Sequence, residues 1–139
     1  MKIKKKYSEL IIANIVMGEY LKKHVDKENK ICASIKNFTK QLTQIFENYN
    51  DEKDTLQLNN CAVDEKTKVI LKDEKGNRQF TVEGEIKLKG EIKELNKKEV
   101  EFHSRIAEGI EDLIAELTDE EKETFEGIVI PIKAEEIEG

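Results

Sequence analysis

The sequence predicts an α+β fold that is predominantly α-helical, namely a helical hairpin or small bundle with a small β-hairpin and short edge strands. Apolar side chains at helical spacing dominate residues 1–58. One proline and seven glycines are too few turn-forming residues for the many turns of an all-β fold. Short β-rich runs occur only later in the chain.

The length also bears on domain organisation, because 139 residues match the commonest domain size. We therefore expect a single domain over residues 1–139. Its N-terminal helical hairpin should occupy residues 1–58, and a β-hairpin with a further helix should occupy residues 59–103. C-terminal helices, a strand and an acidic tail should follow over residues 104–139.

A dense apolar segment predicts the first helix, over residues 9–24. A short strand over residues 1–6 precedes it, with Ile3 as the inward residue, and Ser8 is the candidate N-cap. The apolar positions are too many for one narrow stripe, so most of the circumference should be covered by the chain itself or by another subunit. These positions are Leu10, Ile11, Ile12, Ala13, Ile15, Val16, Met17, Tyr20 and Leu21.

A second helix should follow the polar residues 25–29 and span residues 30–53, with Leu58 as an alternative end. Its apolar residues recur at spacings of 4, 3, 4, 3 and 4, the heptad pattern that keeps one seam on one side of a helix. Three heptads suit a hairpin or bundle core better than a fibrous coiled coil. The seam, as a core or as an interaction surface, consists of Ile31, Ile35, Phe38, Leu42, Ile45 and Tyr49.

The middle of the chain predicts a β-hairpin after a break at Asn59, Asn60 and Asp64. The runs 69–71 and 79–82 are rich in β-favouring residues and flank a turn at residues 73–77. A third helix should span residues 84–98, although Gly84 and Gly90 weaken it by on the order of 1 kcal/mol each. The alternative is that residues 80–88 stay extended.

The C-terminal part predicts two helices and two strands. Residues 99–102 suggest a short strand, and residues 104–117 have helical apolar spacing. Thr118 and Glu121 form a capping box that opens a short helix over residues 119–126, with Gly127 after its end. The run 128–132 reads as an edge strand because it contains Pro131. The acidic residues 133–139 should be frayed.

Charge favours some partners over others. The net charge of −6 argues against direct nucleic-acid binding, since such binders carry a basic face. The basic run at residues 2–6 could touch phosphates but reads better as a solvated strand. We expect no membrane segment and no signal peptide, hence a cytoplasmic location, because the longest apolar stretch, residues 10–17, is too short to span a bilayer.

The residues able to carry chemistry do not assemble into a recognisable site. No two of His24, Cys32, Cys61 and His103 are closer than eight residues, whereas structural zinc sites draw ligands in close pairs. Most carboxylates alternate with lysines, as on a solvated helix face, and no nucleotide-binding or metalloprotease motif occurs. We therefore predict no enzymatic activity, no metal and no cofactor. Whether Cys61 is reactive stays open.

The layout resembles a group of small phage- and prophage-encoded proteins of Gram-positive bacteria, a family of unknown function. The resemblance covers most of the chain and rests on the segments MKIK, SELIIANIVMGEYL, SIKNFTKQLTQIFENY, DEKGN, KKEVEF and LTDEEKETFEG. The IVIPI run departs from it. The resemblance implies a phage or prophage context, and so a host-cell cytoplasm, and no catalytic residues.

The sequence therefore predicts an accessory protein of a phage or prophage that acts without catalysis, by protein–protein interaction, as a virion or assembly component. It would act through its helical surface, with homo-oligomerisation through helix 1 or the heptad seam as one route. The partner is not identified. The alternative is an acidic inhibitor of a host nucleic-acid-binding or defence complex, whose basic groove this acidic protein would occupy.

Overall fold

The structure, a computed structural model, describes residues 2–132 and confirms a predominantly helical α+β fold. The described residues form five helices and one two-stranded sheet. They divide into two compact units: unit 1 contains the residues up to Ile45 and those from Glu99 onward, and unit 2 is Phe46–Lys98. The elements are β1 (Lys2–Lys6), α1 (Tyr7–Lys23), α2 (Lys30–Asn60), α3 (Val82–Asn96), β2 (Glu99–His103), α4 (Glu111–Ala115) and α5 (Asp119–Phe125).

The sheet of unit 1 confirms both short strands and accounts for the basic run. Strands β1 and β2 pair antiparallel, with Lys4 opposite Glu101 and Lys6 opposite Glu99. Ile3 lies opposite the buried Phe102 on the other face. Directly opposed unlike charges stabilise an antiparallel pair by about 0.2–1 kcal/mol. The lysines of β1 therefore have an acidic strand beside them, in agreement with the solvated-strand interpretation.

The core of unit 1 forms between α1, the first part of α2, β2, α5 and the segment after α5. Phe38 packs edge-on against Phe102, with ring centroids 5.1 Å apart, and Tyr20 packs edge-on against Phe125 at 5.5 Å. Asn29 caps α2 by accepting from the Cys32 N–H, and its amide donates to the Tyr20 hydroxyl at 2.9 Å. Cys32 is buried as a free thiol.

Helix α1 differs from its prediction in two respects. It begins at Tyr7, so Ser8 lies inside it rather than capping it, and the Lys6 N–H donates to the Glu9 carboxylate. The expectation that most of the circumference is covered is wrong within this chain, because Ile12 and Ile15 are each 57% exposed. The buried face needs only Leu10, Ala13, Val16, Met17 and Tyr20 with Tyr7.

Helix α2 runs further than predicted, since Asn59 and Asn60 belong to it. Asn60 is buried, and its amide donates to the Leu56 carbonyl at 2.8 Å and to the Glu91 carboxylate at 2.7 Å. These bonds satisfy an amide that would otherwise favour a turn, so the helix continues. A tertiary partner therefore overrides the local preference of asparagine.

The C-terminal predictions hold in part. The capping box of Thr118 and Glu121 opens α5, and Gly127 follows it with a φ of +80°. The predicted helix over residues 104–117 shrinks to α4, because Gly109 adopts a φ of +71° and the Arg105 N–H donates to the Ile128 carbonyl.

The run 128–132 is not a strand. Ile128, Val129 and Ile130 are buried in a turn after α5, where only an isolated bridge forms between Glu126 and Ile130. Their apolar side chains serve the core of unit 1 rather than a sheet. The predicted frayed tail, residues 133–139, lies outside the described residues.

In unit 2, Tyr49 contacts Asn96 and Asn60 contacts Glu91, so the second part of α2 and helix α3 run antiparallel as a hairpin, joined by residues 61–81. Helix α3 is confirmed, and the extended alternative for residues 80–88 is wrong. The predicted β-hairpin is reduced to isolated bridges, Val63 with Ile70 and Lys72 with Arg78. Its turn does form: Gly76 adopts a φ of +84°, and Asp73 accepts from the Lys75 and Asn77 N–H groups.

Helix α3 begins earlier than predicted because Thr81 caps it by accepting from the Gly84 N–H at 3.0 Å. Gly84 is required at this point. A Cβ there would lie 2.5 Å from the Asn60 carbonyl oxygen. The glycine therefore permits the close approach of α3 to the end of α2.

Candidate functional site

Unit 2 carries an open groove with apolar side chains in it. Its volume is about 750 Å³, and it lies between the second part of α2 and α3. The half-buried Leu56 and Leu95 form its apolar floor, and the exposed Thr55 and Gly90 also line it. Its rim consists of Glu52, Lys87, Glu91, Glu94 and Lys98.

The rim is mixed in charge, with some of its charges already paired. Lys98 donates to Glu52 at 2.6 Å, and the exposed Glu94 pairs with Lys97 at 3.3 Å. Glu91 accepts from the Asn60 amide, which is neutral, so this bond leaves the negative charge in place. The rim thus offers a carboxylate to a cation, while the floor offers apolar surface.

Gly90 lines the groove and adds no side chain to it. A Cβ at this position would meet nothing within 4 Å. A glycine inside a helix costs about 0.8–1.0 kcal/mol relative to alanine, and no packing in unit 2 requires it here. On the same helix, Val82 is 76% exposed and Ile86, one turn before Gly90, is 67% exposed. Apolar surface therefore continues from the groove along α3.

A second recess, in unit 1, is smaller and more polar, at about 430 Å³. Its residues include Tyr20, Lys23, His24, Leu117 and Glu121. Glu121 accepts from Lys23 at 2.7 Å and from the Thr118 N–H at 2.9 Å, and the ring centroids of His24 and Tyr20 lie 4.3 Å apart.

The polar groups of that recess have structural roles. Burial raises the pKa of Glu121, but the hydrogen bonds from Lys23 and Thr118 lower it more, so the carboxyl titrates below its ordinary value. Burial raises the pKa of the Tyr20 hydroxyl, which holds the cap of α2 in place. Helix capping and packing account for these contacts.

The residues proposed from sequence for interaction are all buried. Exposure along the seam is 8% or less at each of Ile31, Ile35, Phe38, Leu42, Ile45 and Tyr49. The first five lie in unit 1 and Tyr49 lies in unit 2. The seam therefore serves as core, which leaves little of it for a partner.

The groove was not predicted from the sequence, although the heptad spacing of α2 contains a signal for it. Continuing the heptad spacing past Tyr49 leads to Glu52 and Leu56, where the seam becomes partly polar. Both residues line the groove. The pattern indicated where the helix meets α3, but not that the contact would stay open.

The metal-binding and thiol residues stay apart. Within residues 2–132, no group of three or more His, Cys, Asp or Glu side chains is arranged to hold a metal ion. Cys61 is a half-buried free thiol whose Sγ lies 3.4 Å from the Leu58 carbonyl oxygen. In the same described range, no helix combines the length and the apolar character needed to cross a membrane.

Comparison with protein-family models, with curated proteins and with solved structures finds no match to this chain.

Proposed function

We propose that this chain works without catalysis, by holding an amphipathic helix of a partner protein in the groove of unit 2. The observation that carries the proposal is an apolar floor between two helices, left open and bordered by charge. Proteins bind helices in this way when an apolar groove receives anchors at positions i, i+3 or i+4, and i+7. The phage or prophage context implied by the resemblance is part of the same proposal.

The dimensions of the groove define the ligand. Lys87 and Leu95 are the first and last groove residues on α3, a separation of roughly 12 Å at 1.5 Å per residue. A partner helix of about three turns would span it. Its apolar anchors would cover Leu56 and Leu95, and a small gap at Gly90 would let its backbone approach closely.

Electrostatics add a preference for a basic flank. Glu91 keeps its charge at the rim, and the chain as a whole is acidic at −6. A lysine or arginine beside the anchors would gain a charge-assisted hydrogen bond there. Rim charges mainly influence association rate and selectivity, so we expect the anchors to supply most of the affinity.

The test uses a synthetic peptide of about fourteen residues, with leucines at spacings of 4, 3 and 4 and lysines on the opposite face. Titration into the labelled protein should shift the amide resonances of residues 52–56 and 87–98. A peptide of the same composition, scrambled so that its leucines share no face, is the control. Equal shifts from both peptides, or shifts elsewhere, would contradict the proposal.

A second test compares how much partner protein each variant of this chain retains in the native host. The Cβ of Gly90→Leu would meet nothing within 4 Å, so the protein should fold. The longer side chain would occupy the groove, and the affinity should fall by roughly tenfold, or about 1.4 kcal/mol. Lys89→Leu is the matched control, because it adds an exposed apolar group on the same helix outside the groove. A partner retained equally by Gly90→Leu would exclude the groove.

The inhibitor alternative makes a different prediction. An acidic protein that occupies a basic nucleic-acid groove should release its partner as salt rises. A partner held by apolar anchors should survive the same washes. Loss of a host nucleic-acid-binding subunit at high salt, with no effect of Gly90→Leu, would favour the inhibitor.

A further inference from the structure

Another recess of unit 1 lies between the first turns of α2 and the segment of residues 105–107. Its volume is about 260 Å³. The polar and charged side chains that line it are donors of hydrogen bonds, and none of its lining residues is acidic. These donors belong to Lys30, Ser34, Asn37 and Arg105. We call this cavity the Ser34 recess.

Side-chain hydrogen bonds hold the two walls of the Ser34 recess together. Gln41 of α2 accepts from the His103 N–H at 2.9 Å and donates to the His103 carbonyl at 2.8 Å. At the other end, the Lys30 ammonium donates to the Glu108 carbonyl at 3.0 Å. The segment of residues 103–108 is therefore fixed against α2, so a ligand would enter a preformed cavity.

The hydroxyl of Ser34 is the observation that points to a ligand. Ser34 is 6% exposed, yet its hydroxyl makes no hydrogen bond with the residues that the structure describes. No fully buried side-chain oxygen of those residues lacks a partner, so the hydroxyl keeps contact with the recess that Ser34 lines. On the same helix, hydroxyls usually bond the carbonyl four residues earlier, as those of Thr39, Thr43 and Thr55 do.

The two cations of the Ser34 recess are not neutralised by carboxylates. The Lys30 ammonium has three donors and bonds a neutral carbonyl, which leaves its charge in place. The exposed Arg105 side chain forms no ion pair or hydrogen bond with the described residues. Of the acidic residues nearby in sequence, Glu28 pairs with Lys36 and Glu108 does not line the recess. The recess therefore offers uncompensated positive charge.

We propose that the Ser34 recess binds the phosphate group of a small phosphate monoester. A phosphate monoester carries a charge of about −1.5 to −2 at neutral pH. Lys30 and Arg105 together match that charge, whereas a carboxylate would neutralise only one of them. The guanidinium of Arg105 can donate to two phosphate oxygens at once, and Ser34 and Asn37 donate to phosphate oxygens from the side of α2.

The size of the Ser34 recess limits what the phosphate can be attached to. A volume of about 260 Å³ lies below the roughly 300–1,000 Å³ of pockets for drug-sized ligands. It leaves room for a short carbon chain, which Ala33, Ile106 and Ala107 of the lining would contact. The net charge of −6 opposes a nucleic acid, whose many phosphates the protein would repel. This inference does not rest on the proposed partner groove, which lies in unit 2.

Titration of the labelled protein with propyl phosphate, at constant ionic strength, tests the proposal. The amide resonances of residues 30–37 and 104–108 should shift and reach saturation. Inorganic phosphate should bind more weakly, because it has no carbon chain to contact Ile106, and acetate should bind more weakly still. Acetate binding as tightly as the ester would overturn the assignment of a phosphate. Inorganic phosphate binding as tightly would overturn the assignment of a monoester.

Variants test the site itself. Arg105→Gln should weaken binding roughly tenfold, as expected for the loss of a hydrogen bond between charged groups. Lys40→Gln removes the same charge from α2 outside the recess and should leave binding unchanged. Ser34→Ala should weaken binding without lowering the stability, because no hydrogen bond within the described residues is lost and alanine favours a helix.

Three outcomes would overturn the proposal. Equal weakening by Arg105→Gln and Lys40→Gln would indicate general attraction to charge instead of a site. Full affinity in Ser34→Ala would remove the hydroxyl that points to the ligand. Shifts that do not saturate at tens of millimolar ester, or that saturate only in unit 2, would exclude the Ser34 recess.

Discussion

Units 1 and 2 share the long helix α2 but differ in how they are held together. In the described residues, unit 1 contains all the buried apolar side chains except Tyr49 and Leu88. Unit 2 relies more on polar contacts. The Tyr49 hydroxyl donates to Asn96, the Asn60 amide donates to Glu91, and Arg78 donates to Asp54 at 2.6 Å.

The difference shows what a continuous helical pattern does and does not determine. Heptad spacing carries α2 through both units, but its positions change from Phe38 and Leu42 to Glu52 and Leu56. Apolar burial contributes about 25 cal/mol per Å², whereas a net hydrogen bond contributes about 0.5–1.5 kcal/mol. Unit 2 should therefore open more readily than unit 1, as expected for a region that receives a partner.

The largest expected effect contrasts a core residue from each unit. Phe125→Ala removes a fully buried ring and should lower the free energy of unfolding by about 3–5 kcal/mol. Leu88, 8% exposed in the thin core of unit 2, should cost about 2 kcal/mol on truncation to alanine. Denaturant unfolding measures both values.

Amide hydrogen exchange locates the effects. Leu88→Ala should accelerate exchange in residues 82–96 and leave residues 7–23 unchanged, because the contacts it removes belong to unit 2. Equal acceleration in α1 would show that the two units do not open separately. It would also remove the basis for comparing their stabilities.

Two glycines of α3 provide the next contrast. Gly84→Ala should destabilise by about 1–3 kcal/mol, the cost of overpacking, since its Cβ would lie 2.5 Å from the backbone oxygen of Asn60. Gly90→Ala should stabilise by about 1 kcal/mol, because the helix gains propensity and its Cβ meets nothing within 4 Å.

Thermal unfolding of these two variants shows whether each substitution raises or lowers the stability. Equal destabilisation by both would mean that the position of Gly90 is closely packed, which would contradict an open groove there. Since both substitutions are glycine to alanine in one helix, propensity alone cannot separate them. Only the surroundings of the two Cβ atoms differ.

The ion pair of Lys23 and Glu121 in unit 1 predicts that the stability depends on pH. The folded pKa of Glu121 lies below its ordinary value near 4.5, because the hydrogen bonds from Lys23 and Thr118 outweigh the effect of burial. The stabilisation from its charge should be complete above about pH 4.5 and should be lost as pH falls through the folded pKa. Glu121→Gln, which keeps the capping geometry, removes it.

Unfolding of the wild type and of Glu121→Gln should therefore differ near neutral pH and converge in acid. Lys23→Met should give the same trend, because it removes the other partner of the pair. A gap between wild type and Glu121→Gln that stays constant down to strongly acidic pH would assign the difference to packing rather than to charge.

Sequence patterns predicted the elements whose signals are local. The capping box at Thr118 and Glu121, the capped end at Gly127 and the spacing of the α2 seam all refer to neighbours within two turns. The failures depend on distant partners. Asn60 stays helical because Glu91 accepts from its amide. Residues 104–110 are not helical, because Gly109 has a positive φ and the Arg105 N–H donates to the Ile128 carbonyl. Residues 128–130 are buried in a turn.

The candidate site shows the same limit. The sequence pointed to the apolar seam, which the fold uses internally, and missed surfaces defined by what remains uncovered. Ile12, Ile15 and Ile86 read as core residues in any apolar pattern, and their exposure follows only from which helices pack where. Composition reliably indicated how much apolar surface exists, but not which part stays outside.

The smallest expected effect concerns the basic run of β1, two of whose lysines lie opposite carboxylates of β2. Lys4→Glu places two carboxylates opposite each other, because Lys4 faces Glu101, and should destabilise unit 1 by about 0.2–1 kcal/mol. Adding Glu101→Lys restores opposite charges and should recover the loss. A double variant no more stable than Lys4→Glu would mean that the lysines of β1 do not act through β2. The basic run would then be free for a phosphate-bearing partner, and nucleic-acid binding would need to be measured directly.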